Sequence, residues 1–303
     1  MFLALIQKKI LGSFPVEIQI LTEGKPVYVK QHHIAQQYQN DVKNEIKKML
    51  ELDVIEVCSN PKGWNSPILA VKKSDNSIRI CCNFKRTVND RLRDDSDKFE
   101  LPVTQILFHE IGRENKFFAS LDLAKGYWQF SIKPEDRFKT SFTFENTTYC
   151  FKRLPFCLKN SGDVFCRGIS SILNEMKNKS TIKNFVDDIL IHFKSFDEYH
   201  NSLSELLKIL RKYNLKLNGK KCSFLDDKVK FLGRIISSDG YSADPENVLA
   251  VRELNPPKSK TENLTALGRF VWLRDFISSN VNEKVAEFSF SHIMKEMTKI
   301  NTG

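Results

Sequence analysis

Asn184-Phe185-Val186-Asp187-Asp188-Ile189-Leu190-Ile191-His192-Phe193 is a short apolar run split by two adjacent acids. Apolar runs of this length with polar flanks read as strands, so the segment is expected to be a hairpin with the acids at its turn. Adjacent acids at a turn are also ordinary turn chemistry, so the pair needs a partner before it means more. The partner lies 65 residues upstream, where Ala119-Ser120-Leu121-Asp122-Leu123 forms a second apolar strand that runs into an acid and is broken by Lys125-Gly126. A carboxylate embedded in apolar strands costs free energy unless it is paired or holds a metal. Asp122, Asp187 and Asp188 are therefore expected to meet at a sheet surface. Hard oxygen donors select Mg²⁺, with Mn²⁺ as an alternative, and leave most of its waters exchangeable for substrate phosphates. Two such ions about 3.5–4 Å apart activate an attacking oxygen and stabilise a leaving one in phosphoryl transfer.

Working outward, Val42, Ile46, Met49 and Leu50 share one helix face, and that helix ends near Asp53. Residues 66–73 and 78–84 read as a hairpin around Ser74-Asp75-Asn76-Ser77, its first strand ending in Lys72 and Lys73. Residues 127–132 and 139–144 read as strands. A helix over 197–214 carries Leu203, Leu206, Leu207 and Leu210 as its apolar stripe, and strands return over 229–237. Asn255-Pro256-Pro257-Lys258-Ser259-Lys260 marks a boundary, after which Leu264, Leu267, Phe270, Val271 and Ile277 suggest a small helical lobe that Arg269 and Arg274 make basic. Strands mixed with helices and a helical tail argue an α+β fold.

The chain has 303 residues, 47 Lys and Arg against 37 Asp and Glu, and a net charge of +10, which favours a polyanionic partner. The charge concentrates locally. Between Leu207 and Arg234 lie Lys208, Arg211, Lys212, Lys216, Lys220, Lys221, Lys228, Lys230 and Arg234 against only Asp226 and Asp227, a footprint suited to a phosphate backbone. Seven cysteines show neither a CxxC pair nor a Cys/His ligand spacing, which argues against a zinc knuckle or a disulfide framework and fits a reducing, intracellular setting. The apolar run Phe2 to Ile6 is too short for a signal-peptide core, and no stretch approaches a membrane span, so no membrane partner is expected. Composition leaves the oligomeric state open.

Six segments in order carry a family resemblance: Trp64-Asn65-Ser66-Pro67-Ile68, Val71-Lys72-Lys73, Leu121-Asp122-Leu123-Ala124-Lys125-Gly126-Tyr127, Leu154-Pro155-Phe156, Phe185-Val186-Asp187-Asp188 and Phe231-Leu232-Gly233. Over roughly residues 25–300 the sequence resembles the reverse transcriptases of gypsy-class LTR retrotransposons. The resemblance implies a right hand of fingers, palm and thumb. Its expected divisions are an N-terminal extension (1–25), fingers and the start of the palm (26–116), palm with part of the fingers at about 133–165 (117–237), and thumb with the start of a connection (238–303).

The resemblance also implies roles. Asp122, Asp187 and Asp188 would hold the metal ions, with the Leu123 backbone contributing. Lys73 and Arg79 would grip the triphosphate of an incoming deoxynucleotide. Leu123, Ala124, Lys125, Gly126 and Tyr127 would line the nucleotide site, Tyr127 lying under the sugar and excluding a 2′-hydroxyl. Phe156 would floor the templating pair, and Lys221 would protonate the pyrophosphate leaving group. Trp64, Phe231, Leu232 and Gly233 would contact primer or template. The implied partners are deoxynucleoside triphosphates and an RNA or DNA template with its primer.

Departures from the family pattern cluster in one loop. Cys157 stands where glycine is usual, Asn160-Ser161-Gly162 replaces Asn-Ala-Pro, and Cys166 replaces a glutamine. If the glycine position has φ > 0, a cysteine there costs on the order of 1 kcal/mol. Asn83 replaces an aspartate, and Phe185 a tyrosine. No protease, ribonuclease H or integrase pattern is recognised, although His292-Ile293-Met294-Lys295 resembles the segment that precedes ribonuclease H. The expected function is RNA-directed DNA polymerisation. The alternatives are a catalytically impaired relic that only binds nucleic acid and, more remotely, a two-metal nuclease.

Overall fold

Val42, Ile46 and Met49 recur at helical spacing and are buried along one face of α1 (Gln36–Glu51), whereas Leu50, expected beside them, is 38% exposed. The computed structural model describes residues 11–73, 76–93, 99, 104–111, 115–254, 258–273 and 276. After α1 the chain turns at Asp53, in the left-handed region, into β1 (Ile55–Val57). Strands β2 (Ile68–Lys72) and β3 (Ile78–Cys82) form the expected antiparallel hairpin, Lys72 facing Ile78. Ser74 and Asp75 of its turn lie outside the described residues. Helices α2 (Val88–Arg91) and α3 (Thr104–Ile111) lead to β4 (Phe117–Asp122).

Residues 127–132 are not a strand. Lys125 is left-handed (φ 53°), and Trp128 N–H donates to Lys125 O at 2.8 Å, so the chain winds into a 3₁₀ turn over Gly126–Gln129. The strand expected over 139–144 is likewise shortened. Pro134 opens a 3₁₀ segment, Pro134–Thr140, that ends in the short strand β5 (Phe142–Phe144), paired with β6 (Thr147–Phe151).

The remaining elements are α4 (Ser161–Leu173), β7 (Ile182–Phe185), β8 (Asp188–Phe193), α5 (Phe196–Lys212), β9 (Ser223–Asp226), β10 (Lys228–Phe231), β11 (Arg234–Ser237), β12 (Gly240–Ala243), α6 (Pro245–Arg252) and α7 (Lys260–Trp272). Ser195 caps α5, its Oγ accepting from Glu198 N–H at 3.3 Å. Leu206, Leu207 and Leu210 of the predicted stripe are buried. Asn255, Pro256, Pro257, Arg274, Ile277 and the segment from His292 to Lys295 lie outside the described residues.

The site is positioned by the antiparallel sheet β7-β8-β4-β9. Period-two alternation gives its strands two faces. Ala119 and Leu121 of β4 and Ile189, Ile191 and Phe193 of β8 enter the core shared with α4 and α5. Phe118 and Leu190 face the other way, into a core with Phe231 and Ile236 of the β10-β11-β12 sheet. Asp122 and Asp188 have the parity of this second face. A separate core joins α1, the β2-β3 hairpin and the β1-β6-β5 sheet. Residues 11–25, expected in an N-terminal extension, reach into both large cores: Phe14 stacks on Phe130 at 4.6 Å, and Ile20 N–H donates to Asp136 Oδ2 at 2.9 Å.

Candidate active site

Asp122 ends β4 and Asp188 begins β8, and the two are register partners across the antiparallel pair. Asp187 follows Val186 in the intervening turn, where Val186 is left-handed at φ 54°. Two backbone bonds tie this turn to its surroundings: Leu123 N–H donates to Asp187 O at 3.4 Å, and Asn218 N–H donates to Asp122 O at 2.9 Å. Lys221 Nζ lies 3.2 Å from Asp122 Oδ2. Burial, then Asp187 and Asp122, push the Asp188 carboxyl above its ordinary range, while Lys221 pulls it down. Crowded negative charge of this kind is relieved by a cation, and the donors are the hard oxygens that Mg²⁺ prefers. Among the described residues no three His, Cys, Asp or Glu side chains are arranged to hold an ion by themselves.

Asp122 and Asp187 line a cleft of about 530 Å³, whereas Asp188, the register partner of Asp122, is not among its walls. Its walls bring together ten of the predicted residues: Asp122, Leu123, Lys125, Gly126, Tyr127, Asp187 and Lys221 from the palm side, and Lys73, Arg79 and Phe156 facing them. Ala124 belongs to the same turn, its N–H donating to Lys216 O at 3.0 Å and its O accepting from Gln129 Nε2 at 2.9 Å. The floor is aromatic. Tyr127 stacks on Phe165 at 4.8 Å and tilts against Phe156 at 5.3 Å, and the Arg79 guanidinium lies 5.2 Å from the Phe156 ring centre. Gly126 makes this packing possible, since a Cβ there would sit 2.9 Å from the Phe165 ring.

Four predicted contacts lie apart from the cleft walls. Trp64 is 3% exposed inside the core around α1, and Phe231 is buried beneath the palm sheet. Leu232 and Gly233 turn between β10 and β11 and line a second cavity of about 570 Å³ with residues of α6 and α7. The cleft walls also include Glu45, Lys48, Met49, Ser77 and Asn218, which sequence reasoning missed. Lys48 and Glu45 read as the solvated side of an amphipathic helix, and no local pattern marks them otherwise.

Three departures acquire a geometry. Cys157 is exposed with φ 73°, so the glycine-type conformation is kept while the glycine is not. Cys166 is buried, and burial, then Asp163, push its thiol up against the lowering pull of the Val186 backbone. Gly162 lies beside Tyr127, whose hydroxyl is 3.9 Å from where a Cβ would stand. The basic stretch is partly neutralised from within: Lys212 pairs with Glu175 at 2.8 Å, Lys230 with Asp244 at 2.5 Å and Glu246 at 2.8 Å, and Arg234 is buried among Phe108, Tyr241 and Phe276. Its phosphate footprint is smaller than the sequence count implies. Among the described residues no helix is long and apolar enough to cross a membrane.

The architecture is that of the right-hand polymerases. It superimposes on the foamy viral protease-reverse transcriptase solved with dsDNA (TM-score 0.84, 22% identity, 96% of this chain and 60% of that one) and on the form solved with an RNA/DNA hybrid (TM-score 0.81, 23% identity, 93% and 38%). The family model for reverse transcriptase (RNA-dependent DNA polymerase) matches residues 71–236. The chain is 31% identical over 319 residues to the retrovirus-related Pol polyprotein from transposon opus of Drosophila melanogaster, covering 98% of this chain and 30% of the polyprotein. It is 30% identical over 261 residues to that from transposon gypsy of the same organism, covering 84% and 24%. The chain therefore belongs to the reverse transcriptase family, on the gypsy-type LTR retrotransposon side that its motifs resemble. It spans less than a third of the length of these curated relatives. Reverse transcriptases generally use divalent metal ions.

Proposed function

We propose that this chain is an RNA-directed DNA polymerase that adds deoxynucleotides to a primer 3′-hydroxyl on an RNA or DNA template. The observation that carries the reading is convergence: residues from Lys73 to Lys221 meet on one cleft with acids at its sheet edge and cations and aromatic rings facing them. Asp122, Asp187 and Asp188, with the Leu123 backbone, would hold two Mg²⁺ ions, or Mn²⁺ in their place. When bound, the ions supply charge neutralisation of the phosphates and a more acidic primer hydroxyl.

The chain's own residues do the rest. Lys73 and Arg79 engage the triphosphate with long cationic side chains. Tyr127, held flat by Phe165, lies under the deoxyribose and leaves no room for a 2′-hydroxyl, and Phe156 supports the templating pair. The primer 3′-hydroxyl gives its proton to water, and its oxygen forms a bond to the α-phosphorus as the bond to the bridging oxygen breaks, releasing pyrophosphate. Lys221, beside Asp122, delivers a proton to that leaving group. In this reading residues 26–116 form fingers and the start of the palm, 117–237 the palm with fingers residues at about 133–165, and 238–303 the thumb and the start of a connection. Leu232 and Gly233 contact the primer end, and Trp64 and Phe231 act from the cores beneath the template and primer tracks.

Purified protein with a poly-rA template, an oligo-dT primer and Mg²⁺ or Mn²⁺ is expected to incorporate dTTP, and Asp187→Asn to abolish incorporation. No incorporation by the unmutated chain with either metal rejects the activity. The left-handed Cys157 favours one second reading, a relic that only binds nucleic acid. That reading predicts salt-dependent binding unchanged by Asp187→Asn, with no incorporation.

A further inference from the structure

Gln129 closes the 3₁₀ turn behind the cleft and is completely buried, although its side chain is a primary amide. An amide in that setting costs free energy unless its hydrogens and its oxygen are bonded. They are bonded, and to two residues only: Nε2 donates to Ala124 O at 2.9 Å and to Lys216 O at 2.9 Å, and Oε1 accepts from Lys216 N–H at 2.7 Å. The two bonds exchanged with Lys216 are those that a peptide unit of a neighbouring strand would make.

The amide fills the end of a short antiparallel ladder. Asn218 N–H donates to Asp122 O at 2.9 Å, Leu123 and Leu217 form a bridge, and Ala124 N–H donates to Lys216 O at 3.0 Å. There the left-handed Lys125 turns the chain away, and the Gln129 side chain adds the next rung where backbone no longer can. One side of the ladder ends β4 and carries Asp122. The other continues through Asn218, whose O accepts from Lys221 N–H at 2.9 Å. The N-terminal segment covers the rung: Phe14 N–H donates to Gln129 O at 2.7 Å, and Gly12 passes so close that a Cβ there would overlap Gln129 Oε1.

We propose that Gln129 is a positioning residue for nucleotide addition: its amide fixes the strand end that carries Asp122 against the segment that carries Lys221, and so sets the rate of the chemical step without touching the nucleotide. This rests on the polymerase reading of the cleft. Gln129 is not among the cleft walls, whereas Asp122 and Lys221 are, with Lys221 Nζ 3.2 Å from Asp122 Oδ2. Without the rung, Ala124 and Lys216 keep a single bond, and the 216–221 segment is free to shift against Asp122. A shift of about 1 Å at a reacting group costs about 100-fold in rate. An amide that merely filled the core would exchange for an apolar side chain of similar length at a cost in stability alone.

The test compares the parent, Gln129→Met, Lys221→Ala and the double variant in dTTP incorporation on poly-rA with an oligo-dT primer, below the melting temperature of each. Gln129→Met, similar in length but unable to make the three bonds, is expected to lower kcat about 100-fold. The KM for dTTP is expected to change by less than about threefold. In the Lys221→Ala background the same substitution is expected to slow the chain by no more than about threefold, because the group that the rung aligns is gone. A core filler instead gives independent effects that multiply. Hydrogen exchange adds a readout that needs no turnover: the 216–222 peptide is expected to lose protection in Gln129→Met while the β2-β3 hairpin keeps its own.

Should Gln129→Met unfold at the assay temperature, Gln129→Glu takes its place, since it keeps the shape and the acceptor for Lys216 N–H but loses at least one donated bond. The proposal is overturned if kcat stays within about threefold of the parent, if Lys221→Ala leaves kcat unchanged, or if the two effects multiply. It is equally overturned if both peptides lose protection alike or if neither Gln129 variant folds. A parent chain that incorporates nothing counts against the polymerase reading instead, and the exchange comparison alone then decides whether Gln129 holds the segment.

Discussion

Val186 and Cys157 hold the same left-handed backbone beside one cleft, at φ 54° and 73°, and they are kept there by different means. Val186 joins two paired strands, with Phe185 registered on Asp188, the Leu123 N–H bonded to Asp187 O and its own side chain against the core under that sheet. A β-branched residue in this region costs on the order of 1–3 kcal/mol, and here the surrounding sheet over-determines it. Cys157 sits on an exposed loop held through Asn89, whose Nδ2 donates to Cys157 O at 2.9 Å and whose Oδ1 accepts from Lys159 N–H at 2.8 Å. Strain at the first position is bound up with where Asp187 points, whereas strain at the second is separable from the acids.

The sharpest way to break this contrast is to remove the acid that the strained turn presents. Asp187→Asn is expected to lower incorporation by about a thousandfold or more while leaving the melting temperature near the parent value, because the sheet and not the carboxylate holds the turn. Calorimetry beside primer extension separates the two. A large fall in melting temperature would mean that the carboxylate itself braces Val186.

The sheet can be loosened from its far end. His192 of β8 is 4% exposed, neither ring nitrogen has a hydrogen-bond partner among the described residues, and burial, then Lys183, lower it from 6.5 to about 4. The unfolded chain takes up this proton below pH 6.5 while the folded chain resists until about 4, so stability falls across that window as pH drops. The full effect is on the order of 3 kcal/mol. His192→Leu is expected to flatten that part of the stability curve measured by denaturant titration, and an unchanged curve would count against the burial argument.

A smaller effect tests the aromatic floor between the two strained residues. Gly126→Ala places a methyl about where the Phe165 ring lies, 2.9 Å away, so Tyr127 and Phe165 must shift together. The expected cost is about 1–2 kcal/mol in stability, with a raised KM for the deoxynucleotide and a smaller change in kcat.

Much of this was legible in the sequence, and the misses have physical causes. The hairpins at 68–82 and 182–193 announced themselves because alternation with a polar break is a local signal. Residues 127–132 did not, since a left-handed Lys125 turned an apolar, aromatic run into a 3₁₀ segment that periodicity reads as a strand. The three aspartates drew attention because acids are costly among apolar neighbours, but only the ordered motifs around them turned that cost into an expected site. Glu45, Lys48 and Asn218 were invisible, because their place on the cleft comes from packing α1 and the 218–221 turn against distant strands. Trp64 illustrates the converse: a motif residue expected at the nucleic acid is a core residue by geometry. The basic run overstated its footprint because Glu175, Asp244 and Glu246, which neutralise part of it, lie outside that run in sequence.

The smallest expected effect bears most directly on the contrast between the two turns. Glycine adopts either conformation without a Cβ penalty, so Cys157→Gly is expected to stabilise the chain by roughly 0.5–1 kcal/mol, the relief of strain being offset by the greater freedom of the unfolded glycine. Val186→Gly relieves the same kind of strain but also strips a side chain from the palm core, so its net effect is expected to be zero or a loss. Paired denaturant titrations of the two variants measure the difference. Equal gains would mean that the sheet does not over-determine Val186, and the Val186-Asp187 turn would then be as free to relax as the exposed loop.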